Sequence, residues 1–344
     1  MAGITVTELN IYPIKSCKGM SVAEACVTPT GLQFDREFMI VDAKTGWFVT
    51  QRTAPALALV QPELPSDVLG VQRPNAELDQ IMRVSAPGMQ TLVVPLRKQA
   101  ISTAVTVKVW DYTGKGIDMG DAAADWFSKY LSKTVRLVRH TGTRTTDAKY
   151  AAGYETAFSD GFPILITSEE SLEALNSMLE VPLPMNRFRP NVVVKGGAAW
   201  EEDRWETFRV ERRRTLPGPM LVRALLAPIM QSFKAAVWVG RRAARALTAG
   251  KVGAGGNLDL KSVKPCSRCT MTTTCQDNGE VMGDEPLQTL AKFRSGAKLN
   301  WHPEKWSADV FFGWNVVTNN RNWDYIRVGD YLHVTSRRGV FHAG

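Results

Sequence analysis

Short apolar runs, each stopped by glycine, proline or other turn residues, fill the first third of the chain and constrain its fold more than any other feature. Ile4, Val6, Leu9 and Ile11 recur across residues 4–13 with polar neighbours between them, a period that turns one face of a strand inward. Residues 22–29 follow, then "REFMIVDAKTGWFVTQR", in which Ala43 to Gly46 reads as a turn between two β runs. "IMRVSAPGMQTLVVPL" and "TAVTVKVWDY" continue the pattern. Many short strands with Gly and Pro punctuation predict a barrel or a sandwich.

Helical spacing enters later. "DAAADWFSKYL", Asp121 to Leu131, carries apolar residues behind an aspartate suited to cap it. "SEESLEALNSML" places Ser168 as N-cap, with Leu172, Leu175, Met178 and Leu179 on one face. A third helix after Pro286 turns Leu287, Leu290 and Phe293 inward, and "RFRPNVVVKG", "DVFFGWNVV" and "DYIRVGDYLHV" read as strands. The fold class expected is mixed α+β and β-dominated. At 344 residues and 44% hydrophobic content, the chain can bury a large core in two domains or one elaborated one.

The net charge of +8 would ordinarily suggest an anionic partner. Its location removes that inference. The chain has 42 basic and 34 acidic residues; nine of the former and one of the latter, Glu211, fall in residues 211–255, which leaves 33 of each elsewhere. No nucleic-acid partner is expected. The N-terminus lacks the apolar core of a signal peptide, and five cysteines without a secretion signal are expected to be reduced thiols of a cytosolic, soluble protein.

Three of those cysteines lie in "KPCSRCTMTTTC". A structural zinc would need two further ligands, and no second CxxC or HxxxH supplies them. A redox pair is expected at the first turn of a helix, whereas "TMTTTC" is β-branched and a poor helix former. Inert buried thiols remain a third reading. Against it, Lys264 and Arg268 bring positive charge that favours thiolate, and a thiolate beside cations suits a soft metal. "YPIKSCKG" adds Lys15, Ser16 and Lys18, "FDREF" adds Asp35 and Arg36, and "NRFRPN" adds Arg187, Arg189 and Asn191. An arginine opening an apolar strand, as in "FRPNVVV", demands a compensating partner if buried. Converging, these loops would offer arginine forks to a phosphate.

In order along the chain, "LNIYPIKSCKGM", "GLQFDREFMIVD", "FSDGFPILITSEESLEALN", "RFRPNVVV" and "VKPCSRCTMTTT…GDEPLQTLAKFR" resemble the MOSC (molybdenum cofactor sulfurase C-terminal) family with its N-terminal β-barrel domain. Within it they look most like the mitochondrial amidoxime reducing component group. The resemblance implies an N-terminal β-barrel-like domain over 1–130, and a MOSC β-barrel domain with peripheral helices over 131–344. It implies the molybdenum cofactor (Mo-molybdopterin), with Cys269 as metal ligand and catalytic residue. By the same resemblance, Lys15, Ser16, Arg36, Arg189 and Asn191 contact the pyranopterin and its phosphate, Ser267 and Arg268 flank the ligand, and Asp160 lies in a cofactor-lining loop. Gly161 and Phe162 replace small hydroxyl residues of animal members, and Asn315 replaces a tyrosine. The activity implied is reduction of small N-hydroxylated compounds such as amidoximes. Electrons would come from a cytochrome b5-type carrier and its NADH-dependent reductase. A non-catalytic cofactor-binding or sulfur-carrier MOSC protein is the alternative. Animal relatives carry a mitochondrial segment ahead of the barrel, so a cytoplasmic location is expected, with mitochondrial association if the N-terminus is incomplete.

Residues 211–255 depart from the family pattern. They read either as a real excursion, a basic amphipathic stretch broken by Pro228 that could touch membrane, or as translated non-coding sequence; the strand is expected to resume at "GNLDLKSVKPCSRC".

Overall fold

The computed structural model describes residues 3–69, 80–96, 103–211, 258–318 and 324–339. The basic segment therefore lies, Glu211 apart, outside the described residues. Seven strands close into a barrel: β1 (Ile4–Ile11), β2 (Ile164–Ser168), β3 (Val192–Lys195), β4 (Trp205–Glu211), β5 (Leu258–Arg268), β6 (Val310–Val317) and β7 (Tyr331–Arg337). Their order is β3-β2-β6-β5-β4-β7-β1, and β1 closes the ring against β3. The protein is β-dominated, as the sequence predicts.

Antiparallel pairing reverses direction at every step, so it cannot run unbroken round a ring of odd membership. One pair must be parallel. That pair is β2 with β3, Ile166 facing Val192. Parallel neighbours need a crossover, here the helix Glu169–Asn176 and the loop through Arg187. Strands β2 and β3 thus begin at the same end of the barrel, and β1, antiparallel to β3 with Leu9 facing Val192, finishes there.

Val6, Leu9, Ile164, Ile166, Val192, Val194, Trp314 and Val316 fill the barrel. Strand alternation then turns Leu165, Val193 and Asn315 outward. Outside, Val193 packs with Leu175, Phe188, Leu290 and Phe312, joining the helices Glu169–Asn176 and Leu287–Phe293 to the wall. Between wall and helices lies a buried charge cluster. Arg294 forks onto Asp203, which also accepts from Trp314 Nε1 at 2.8 Å. Beside it Glu202 accepts from Ser171 Oγ at 2.8 Å. Burial, reinforced by the Asp203 charge, pushes the Glu202 carboxyl up to about 7.

A four-stranded antiparallel sheet, Phe38–Asp42, Val135–His140, Tyr112–Asp118 and Ala104–Val109 in spatial order, and a three-stranded one, Gln61–Glu63, Ile81–Ser85 and Leu92–Pro95, flank the barrel. Gly46 lets the turn before Phe48 dock on the first of these: its φ is 72°, and a Cβ there would lie 2.4 Å from Thr106 O. We retain a division into 1–130 and 131–344 as a proposal about folding units; hydrogen bonding crosses it at β1 and where Phe38–Asp42 pairs with Val135–His140.

Local expectations differ from the structure in two places. Ser168 caps its helix, its Oγ accepting from Ser171 N, but the helix stops at Asn176 and leaves Met178 exposed beyond the end of the apolar face. Asp121 is the first helical residue and not the cap. Gly120 holds that position with φ 93°, and Asp121 pairs with Arg136 Nη2 at 2.8 Å. Strand β5 does resume at Leu258, which faces Val210 of β4.

Candidate functional site

The end of the barrel where β1 finishes and β2 and β3 begin carries a cleft of about 750 Å³ of open space, its solvent-facing mouth included. It lies against the outer wall, under Leu165 and Asn315. The sequence-predicted residues Lys15, Ser16, Arg36, Asp160, Arg189, Asn191, Ser267, Arg268, Cys269 and Asn315 all line it. Six separate stretches of chain thus converge on one cavity, for the topological reason given above, with β5 running across the wall to deliver its end.

Three of the cations, Arg187, Arg189 and Arg268, are held without using up their positive charge. Arg187 and Arg189, buried to 3% and 6% exposure, make no ion pair among the described residues. Arg187 Nε donates to Thr272 O at 2.8 Å, and Arg189 Nη2 to Cys17 O at 2.6 Å. Tyr12 is clasped between Arg36 and Arg189, whose guanidinium carbons lie 4.1 and 4.3 Å from its ring centre. Burial raises the Tyr12 phenol to about 12 and lowers Arg189 to about 10, so each keeps its ordinary protonation at neutral pH. Arg268 donates through Nη2 to Phe188 O and lies 2.9 Å from Cys266 Sγ through Nη1. Lys264, the other cation beside the thiols, stacks instead on Trp306 at 3.7 Å.

Arg36 differs, since its Nη1 meets both oxygens of Asp35 at 2.8 and 2.6 Å. The same nitrogen donates to Asn191 Oδ1 at 3.2 Å. Asn191 also accepts from Leu165 N and donates to Asn10 O, each at 3.1 Å. Its amide is therefore spent on the protein, bracing β1, β2 and Arg36 against one another. Ser16, Arg36 and Arg189 have φ of 68°, 46° and 54°, a left-handed conformation that costs non-glycine residues about 1–3 kcal/mol each and clusters at functional sites. A glutamine pair spans two of them: Gln51 donates to Ser16 O at 2.8 Å, and Gln276 accepts from Arg189 Nη1 at 3.3 Å.

At the mouth, Lys15 Nζ donates to Asp160 Oδ1 at 2.5 Å. Burial lowers the Lys15 ammonium, and Asp160 opposes that shift. For Asp160 burial works toward a higher value, but the Lys15 charge and hydrogen bond, aided by Trp110 and Arg52, outweigh it and hold the carboxyl well below the usual range. The side chain is 63% exposed, so solvent weakens the burial contribution. Arg144 fixes this loop by donating to the carbonyls of Ala157, Ser159 and Asp160.

Four buried polar atoms on lining residues have no partner among the described residues: Ser16 Oγ, Ser159 Oγ, Arg187 Nη2 and Arg268 Nε. A native interior seldom leaves such groups unpaired. All four can donate, so together they await an acceptor. Beside them Cys269 is exposed to the cleft, Cys266 is half-buried, and Cys17 and Cys26 are buried in the core. Because Cys266 to Arg268 is extended, Cys266 and Cys269 are about 10 Å apart along the chain, beyond the roughly 7 Å Cα reach of a disulfide. The CxxC is not a redox pair in this conformation.

Sequence reasoning missed Tyr12, Ser159, Gln51 and Gln276. Tyr12 reads as the end of an apolar strand, and the glutamines sit in stretches without a chemical motif, so only their three-dimensional contacts reveal them. Arg187 is legible in the sequence only as one of the cations of "NRFRPN" suited to a phosphate, not as an individual site residue.

Known sequences add an independent line. The MOSC N-terminal β-barrel domain model matches residues 3–134, and the MOSC domain model matches residues 153–218. The chain is 31% identical to mitochondrial amidoxime reducing component 2 of Bos taurus over 300 residues, covering 84% of this chain and 72% of that protein. To mitochondrial amidoxime-reducing component 1 of Homo sapiens it is 29% identical over 345 residues, covering 96% and 82%.

Proposed function

Because this chain belongs to the MOSC-domain family of the mitochondrial amidoxime reducing components, we propose that its cleft holds Mo-molybdopterin and reduces N-hydroxylated compounds such as amidoximes. The observation that carries the proposal is the set of four unpartnered buried donors beside an exposed thiol. A cofactor with a phosphate at one end and a thiolate-seeking metal at the other suits that set. Ser16, Ser159, Arg187 and Arg268 would donate to its anionic groups, Arg189 would add charge, and Cys269 would be the metal ligand. Asn191 and Asp35 would act on Arg36 and not on the cofactor. Lys15, Ser267 and Asn315 would line its remaining edges.

When bound, the cofactor supplies a two-electron couple able to take oxygen from an N–OH group. The balanced reduction converts an amidoxime, two electrons and two protons into an amidine and water. Lys15 Nζ and Asp160 Oδ1 hold a proton between them at the mouth, where the substrate enters. Arg187, Arg189 and Arg268 keep the cleft positive with no ion-pairing carboxylate among the described residues, and the buried Leu165 and Phe188 side chains line one side of it.

Following the resemblance, we propose a cytochrome b5-type carrier with its NADH-dependent reductase as electron donor. No helix of the described residues is long and apolar enough to cross a membrane; the cytoplasmic location belongs to this proposal, beside relatives named mitochondrial. Metal analysis of the purified full chain, with a benzamidoxime reduction assay, tests the reading. Cys269→Ala is expected to lose molybdenum or turnover, and full activity in that variant refutes the site. Molybdenum without activity would favour a cofactor carrier.

A further inference from the structure

Trp110 breaks a local rule in a telling place. The strands Ala104–Val109 and Tyr112–Asp118 form a hairpin in which Val109 faces Tyr112, so its loop is the two residues Trp110 and Asp111. Two-residue hairpins of the favoured types need a left-handed first position, usually given to glycine or asparagine. Here that position is a tryptophan with φ 52°. Its side chain, moreover, is 41% exposed. Neither backbone geometry nor burial accounts for a large ring there.

The ring is nonetheless fixed. Its Nε1 donates to Asp160 Oδ1 at 3.0 Å, the oxygen that also takes Lys15. Phe48 meets it edge-on at 5.1 Å between centres, and Trp47, 45% exposed, lies 6.3 Å from Phe48. Arg52 lies over the indole with its guanidinium carbon 4.3 Å from the ring centre. Asp160 Oδ2, by contrast, has no hydrogen-bond partner among the described residues. An aromatic shelf therefore stands beside the cleft, joined to its lining through one carboxylate with a free oxygen. The exposed Arg52 guanidinium already stacks on this indole, a contact that a planar substrate group would take by displacing it.

We propose that Trp110, backed by Phe48 and Trp47, is a specificity-determining residue: its indole is the platform for the planar aromatic part of an N-hydroxylated substrate whose reacting group enters the cleft. This rests on the reading of the cleft given above. The free Asp160 oxygen accepts from the substrate's amino group, so ring and amino group are recognised at once. Aliphatic substrates with the same reacting group gain only the second contact.

Trp110→Gly tests it, since glycine is at ease at this φ. Reduction of benzamidoxime and of acetamidoxime is compared in wild type and variant, both loaded with cofactor. The expected result is a KM for benzamidoxime raised about two- to tenfold, the range one aromatic contact supplies, with acetamidoxime nearly unchanged. Trp110→Phe should recover most of the loss. Equal losses for both compounds, or a rise confined to the KM of the electron-donor protein, overturn the proposal. Calorimetric binding of benzamidine and acetamidine to the same proteins decides the matter without turnover. If neither oxime is reduced yet benzamidine binding still weakens in Trp110→Gly, the functional reading fails and the platform stands. If benzamidine binds both proteins equally, the platform fails. Should the glycine variant lose its fold, Trp110→Asn, also tolerant of positive φ, carries the comparison.

Discussion

Replacing Asn191 by alanine separates bracing from cofactor contact. The resemblance makes Asn191 a cofactor contact, whereas its amide is committed to Leu165 N, Asn10 O and Arg36 Nη1. Alanine leaves the Leu165 N–H buried and unpaired, a cost of about 1–3 kcal/mol. The Asn10 carbonyl is part-buried and water can reach it, while Arg36 keeps Asp35, so these two losses together add about 1 kcal/mol. The sum is about 2–4 kcal/mol, equivalent to a fall in Tm of roughly 3–6 °C for a chain of this size. Urea titration and thermal melting of the cofactor-free protein read that number directly. Molybdenum content, measured well below the new Tm, should fall only moderately, because Arg187 and Arg268 still donate. A variant that melts like wild type but holds no molybdenum would refute the bracing role and make Asn191 a direct contact.

Other expectations concern charge. Arg187→Met removes an unpartnered donor from the cleft, and the molybdenum-to-protein ratio on purification should drop severalfold while the fold persists; undiminished, slow-releasing molybdenum would dissolve the link between orphaned donors and an anionic ligand. Glu202 has a folded pKa raised from 4.5 to about 7, so the folded state binds the extra proton between those values. Its stability contribution is complete below about pH 4.5 and is lost as pH rises through about 7. Glu202→Gln should flatten that stretch of the stability–pH curve, and an unchanged slope would mean that Glu202 does not titrate there.

How far the sequence reveals this molecule depends on the range of each signal. Ser168 caps its helix because the serine, the acidic first turn and the leucine stripe are neighbours in sequence. The end of that helix was less legible, since Met178 continues the apolar spacing after the backbone has turned away. Barrel closure was illegible: β1 pairs with residues near 193 and 331, and strand alternation carries no partner address. In the site, motif residues such as Arg189 and Cys269 could be named one by one. Tyr12 between two guanidiniums, and the Gln51–Gln276 bridge, could not, because their role lies in which distant residues they touch. Trp110 reads as part of a strand; its significance depends on a backbone angle and a carboxylate 50 positions away.

The odd membership of the barrel has a consequence for how such a site can arise or be lost. A ring of six or eight strands can alternate throughout, and successive strands in it start at opposite ends. The loop bearing Asp160 and the loop bearing Arg189 would then face away from each other, however well their side chains were chosen. Ancestry and redesign alike must treat the cleft as a property of strand direction: point substitutions adjust its chemistry, but the two loops share one end only while β2 and β3, with their crossover, stay parallel.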